Sequence, residues 1–176
     1  MSHIKVEERK NIKQIMPAKI VSFKKEPIPE LDDMHLSEFD CIALHELGHI
    51  FLQTFNHTFT GKLWKDEFLA SYLAFCFLKE HKNYPALPQA GEFNYQPKYK
   101  TLVDFERLYN KVGDRNYGWY QAQFQNLGYE LYPKFKTDLI KKFIANYSAN
   151  GKKLDPLVLL QQLAPEITNQ WIKEMK

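Results

Sequence analysis

From residue 37 onward, apolar and polar positions alternate with the three-to-four-residue period of helices. The run from Cys41 to Phe51 predicts a buried helix that ends near Phe55. Ser37 is its expected N-cap, with Glu38 and Asp40 in the first turn, where the helix dipole favours acids. Its wheel has two faces. Phe39, Ala43, Leu47, Ile50 and Phe51 form the expected core stripe, while Cys41, Ile42, His45, His49 and Leu52 share the other side. After a turn near residues 56–61, a second helix is predicted from about Trp64 to Glu80, apolar nearly all round and therefore central. One of its faces, Glu67, Ala70, Ser71, Ala74 and Leu78, is mostly small and would let another helix come close.

Residues 82–100 carry Pro85, Pro88, Gly91 and Pro97 without periodicity, the mark of a long loop of the kind that borders a cleft. Thr101 caps a helix through Tyr109, and Asp114–Asn116 opens another that extends to Tyr132 and stops before Pro133. Phe135, Leu139, Phe143 and Tyr147 mark an amphipathic helix closed by Gly151. Asp155-Pro156 is an N-cap and N1 pair opening a short helix, and a last helix follows Pro165. Strands fit only in residues 1–36, where Lys19 to Phe23 is a β-like run ended by Pro27 and Pro29, and Ile4 and Val6 could supply a partner. The expectation is a mainly α chain with a small N-terminal β element (α+β). It forms a single domain over 1–176, with 1–36 β or irregular and 37–176 helical.

Composition narrows the classes. At 176 residues with 44% hydrophobic and 15% aromatic residues, the chain can bury a real core. A net charge of +3 from scattered lysines is an ordinary solvated surface and argues against nucleic-acid binding. Cys41 and Cys76 fall within apolar helical patterns and read as unbridged thiols rather than a disulfide framework. The longest apolar stretch, Phe68 to Leu78, is too short to span a bilayer, and the polar start of the chain shows no signal peptide. Cytoplasmic residence follows as an expectation; the oligomeric state is not specified by these features.

The chemistry is carried by His45-Glu46-Leu47-Gly48-His49. Residues four apart on a helix lie about 40° apart around its axis, so His45 and His49 can offer imidazole nitrogens to one metal ion. Glu46 sits to one side, placed to act as general base on a metal-activated water. The bland alternative, two satisfied core histidines, would leave two buried histidines and two buried glutamates in need of other partners, which is costly. Catalytic zinc usually takes three protein ligands and keeps a fourth position for water. A metzincin would place a third histidine six residues after the second and a glycine at the third, but Phe55 and Leu52 stand there.

The pattern resembles the gluzincin metallopeptidases, the HExxH superfamily that includes the thermolysins and the M1-type aminopeptidases. Besides His45–His49, the resemblance rests on Trp64 to Tyr72, which is similar to the M1 ligand helix, with glutamate followed by alanine at +3 and tyrosine at +5. It implies Glu67 as the third ligand of one zinc ion; Asp66, whose phase points it off the small face, is the fallback by position. Seventeen residues separate His49 from Glu67, one fewer than the usual M1 interval, so the connecting turn is expected to be tighter. The family's N-terminal domain and exopeptidase motif are missing. The compact ImmA/IrrE type of regulatory peptidase is similar in size and also uses a glutamate helix with alanine at +3. In M1-like enzymes a tyrosine well downstream of the glutamate binds the oxyanion, and Tyr117 and Tyr120 occupy a similar interval.

The reading is a small zincin-like peptidase acting on a peptide or protein substrate, with His45, His49 and Glu67 on zinc and Glu46 as base. A non-proteolytic zinc-binding regulatory or structural module is the alternative. A long edge strand in residues 18–26, able to pair with substrate, would separate the two. A third possibility is that the chain is one piece of a larger enzyme.

Overall fold

The computed structural model describes residues 33–55, 62–80, 95–148 and 154–176. By their contacts, residues 37–176 form one compact unit, separate from residues 1–36. Described residues form seven α-helices and no strand: α1 (Asp33–Phe55), α2 (Leu63–Glu80), α3 (Leu102–Leu108), α4 (Asp114–Phe135), α5 (Asp138–Ser148), α6 (Pro156–Leu163) and α7 (Pro165–Glu174). A single 3₁₀ turn, Tyr109–Lys111, links α3 to α4. The described architecture is therefore all-α. The expected N-terminal β element, and the strand on which a peptide could pair, lie outside the described residues.

The helix ends follow local chemistry. Thr101 accepts the Asp104 N–H, Asp155 accepts the Leu157 N–H, and Pro156 and Pro165 occupy first turns where no N–H is needed. The start of α2 is capped from outside: Glu106 of α3 accepts the Trp64 N–H at 2.9 Å, an acid placed at the positive end of a helix dipole. Two boundaries differ from expectation. The first helix begins at Asp33, so Ser37 lies inside it and not at its N-cap. In α4 the chain continues through Pro133 to Phe135; Pro133 cannot donate to Tyr129, and the helix ends two residues later. The turn is closed by the Lys136 N–H donating to Tyr132, with Lys136 in the left-handed region at φ +45. Phe135 thus ends α4 instead of opening α5.

α2 is the central helix, and its most extensive packing is against α4. Phe68, Leu69 and Tyr72 of α2 meet Phe124, Leu127 and Leu131 of α4 in a core extended by Leu139 and Phe143 of α5, Leu160 of α6 and Trp171 of α7. Phe105 of α3 is fully buried among the rings of Tyr109, Tyr117, Tyr120 and Phe124. Two side chains fasten the corners, Tyr72 donating to the Lys136 carbonyl and Trp171 to that of Gln123.

α1 packs with the opposite face from the one expected. Leu47, Ile50 and Phe51 are exposed, while Leu52 and Gly48 are buried with the histidines turned inward. Gly48 explains the choice. A Cβ there would come within 2.9 Å of the Ala70 carbonyl oxygen and 3.0 Å of its Cα, so the two helices meet backbone to backbone on the histidine side.

Candidate metal centre

The close crossing of α1 and α2 brings His45, His49 and Glu67 together, their ligand atoms all within 4.8 Å of one another. The two Nε2 atoms are 3.0 Å apart, with His45 Nε2 3.2 Å from Glu67 Oε2 and His49 Nε2 3.7 Å from Glu67 Oε1. Ligands at zinc bond lengths of about 2.0–2.1 Å around a tetrahedron stand roughly 3.3 Å apart. The three separations, each histidine measured to its own oxygen of Glu67, bracket that value, so the group could hold a metal ion. Both histidines are half-buried and Glu67 is 5% exposed.

Around the three lies a shell of hydrogen bonds. The Ser71 hydroxyl is 3.0 Å from His45 Nδ1, which leaves Nε2 directed at the cluster. Ser71 also donates to Gln121 Oε1 at 3.4 Å, and Gln121 Nε2 donates to Glu67 Oε2 at 2.7 Å. A loop of side chains, His45–Ser71–Gln121–Glu67, thus joins α1, α2 and α4. Tyr117 donates to Glu67 Oε2 at 2.9 Å, and Tyr109 donates to Oε1.

Electrostatics follow from this crowding. Burial works to raise the Glu67 carboxyl, but hydrogen bonds from His45, His49, Tyr109 and Gln121 outweigh it and hold the group well below the carboxylate range. The hydrogen bond to Glu67 raises His49 against an opposing effect of burial. Burial, and then the bond to Glu67, pushes Tyr109 up to about 12. Tyr117 is raised further, by burial and then by the Glu67 charge. Both phenols therefore remain hydrogen-bond donors at neutral pH.

A cavity of about 480 Å³ opens over the cluster, and Glu46, Asp66, Tyr109 and Tyr117 line it with the three ligand candidates. Asp66, the fallback ligand, instead pairs with the fully buried Lys65 at 2.8 Å. Tyr120 is not brought to the cluster: its hydroxyl donates to the Thr101 carbonyl, fastening the loop before α3. Cys41 is half-buried on the approach to His45, and neither it nor Cys76 forms a disulfide. His57 and His81 lie outside the described residues, and Arg115 is exposed at the start of α4.

Sequence reasoning did not single out Tyr109 or Gln121. Tyr109 sits on the 3₁₀ turn, where helical periodicity carries no signal. Gln121 falls four residues after Tyr117, on the same face of α4 as that tyrosine, and this spacing was the available clue.

Fold and site together define an all-helical protein, in its described part, with a His-His-Glu group able to hold a metal ion. Comparison with protein-family models, curated proteins and solved structures gave no match for this chain. Among the described residues, no helix is long and apolar enough to cross a membrane.

Proposed function

We propose that this protein is a metal-dependent peptidase, with zinc held by His45, His49 and Glu67. The observation that carries the reading is that three residues with ligand atoms within 4.8 Å of one another share one cavity with a further carboxylate, Glu46. Zinc bound there would supply Lewis acidity, polarising a carbonyl and acidifying a water. The chain supplies the rest. Glu46 is exposed to the cavity and takes the proton from the attacking water, then returns it to the departing amine. Tyr117 and Tyr109 stay protonated but donate to Glu67, so either one serves a carbonyl oxygen that gains negative charge only by turning its hydroxyl from that carboxylate. Gln121 and Ser71 hold the ligand side chains so that little reorganisation is needed.

The test pairs metal analysis with a peptide-library cleavage assay on wild type, Glu46→Gln and Glu67→Ala. Glu46→Gln is expected to keep zinc and to lose cleavage by a factor of about 10²–10⁴. Glu67→Ala is expected to lose zinc. Full zinc occupancy in Glu67→Ala would sink the ligand assignment. Cleavage by Glu46→Gln at the wild-type rate would sink the mechanism, and zinc without cleavage in the wild type would favour the regulatory or structural module.

A further inference from the structure

Beside the metal cavity lies a second one of about 290 Å³, and the His45 ring borders both. Its walls are Ala74, Phe75 and Leu78 of α2 and Phe124, Gly128 and Tyr129 of α4, with the α1 residues around Cys41 at its rim. Phe75 and Tyr129 meet edge to face at 4.5 Å to make one side. No lining residue is a carboxylate, lysine or arginine; besides His45 and Ser71, the polar side chains at its wall are those of Cys41, Tyr72, Gln125 and Tyr129. The cavity is mostly apolar and shares the His45 ring with the metal centre.

Resting on the peptidase reading above, we infer that this cavity receives a large apolar side chain, aromatic or long aliphatic, of the substrate residue next to the scissile bond. Size supports this occupant. An apolar cavity of roughly 150 Å³ accepts benzene, and whole-ligand sites begin at about 300 Å³, so 290 Å³ suits one large side chain. Position supports it as well. His45, a candidate ligand, borders both cavities, so a bond held at the cluster lies one ring away from this one. The absence of a charged lining residue penalises Asp, Glu, Lys and Arg there, because each would be buried unpaired. Two small residues create the space. Gly128 faces Tyr72, and a Cβ added to it would stand 3.4 Å from Cδ2 of that ring; Ala74 lies on the small face of α2.

The test uses hydroxamates, which anchor on zinc through one group and differ only in their tails. Acetohydroxamate and 3-phenylpropanohydroxamate are titrated against the zinc-loaded full chain, with zinc content measured on the same samples. The phenyl tail is expected to tighten binding roughly 10- to 100-fold. Ala74→Leu fills the cavity and is expected to bring the ratio of the two affinities close to 1. Gly128→Ala, which adds one methyl in ordinary van der Waals contact, is expected to reduce the ratio several-fold even if Ala74→Leu does not fold. Equal affinities in the wild type would overturn the side-chain assignment and leave the metal centre standing. A ratio unmoved by Gly128→Ala would overturn the location. Failure to retain zinc, or to bind either hydroxamate, would overturn the peptidase reading and this inference together.

Discussion

Glu67 is the most heavily contacted side chain of the site, with Tyr109, Tyr117 and Gln121 donating to it and both histidines beside it. A carboxylate fixed in this way presents its oxygens to an ion without searching rotamers. Outer partners of metal ligands typically contribute 10- to 100-fold in affinity. Gln121→Leu, which cuts the loop from Ser71 to Glu67, is therefore expected to weaken zinc binding by about that factor, measured by competition with a chromophoric chelator. An unchanged affinity would mean that the loop does not orient the ligands. At this scale the sequence was informative about His45 and His49, because four-residue spacing on a helix is itself geometry. It was less informative about Tyr120, whose place near the motif in sequence does not reveal that its hydroxyl turns to Thr101.

Helix α1 shows where pattern reading stops. Its wheel offered two apolar faces, and periodicity alone could not say which one packs. Leu47, Ile50 and Phe51 face outward among the described residues, while the histidine face is pressed against α2. Gly48 falls on that face, and a glycine inside a helix marks a close approach more often than a stretch of leucines does. The small-residue face of α2 was the matching signal and was legible, as were the Asp155-Pro156 and Thr101 caps. The end of α4 was not, because a proline disfavours helix without fixing the residue at which the helix stops. Gly48→Ala tests the crossing. The added methyl meets backbone atoms at 2.9–3.0 Å, which cannot rotate away, so α1 must shift from α2. The expected result is a loss of zinc affinity of at least about tenfold, although alanine is the better helix former by about 1 kcal/mol.

Across the whole molecule, pH sets metal binding and folding against each other. His49 has its pKa raised above 6.5 by Glu67, so in chelator-treated protein its stabilising contribution is complete below 6.5 and is lost as pH rises through the raised value. Glu67 is depressed below 4.5, so its contribution is present above 4.5 and is lost as pH falls through its lower folded value. Zinc requires neutral imidazole, so its affinity increases with pH. Urea midpoints between pH 6 and 8, taken relative to His49→Gln, are expected to fall in EDTA and to rise in excess zinc. Parallel trends in the two conditions would contradict the shared use of His49. The contact of Gly48 with Ala70 has one more consequence. Two main chains in contact act as a mechanical stop, so the distance between the ligand-bearing helices cannot shrink when side chains elsewhere repack. Substitutions at core rings that do not touch Glu67, such as Phe124 and Trp171, can then lower the stability of the fold without drawing these two helices closer.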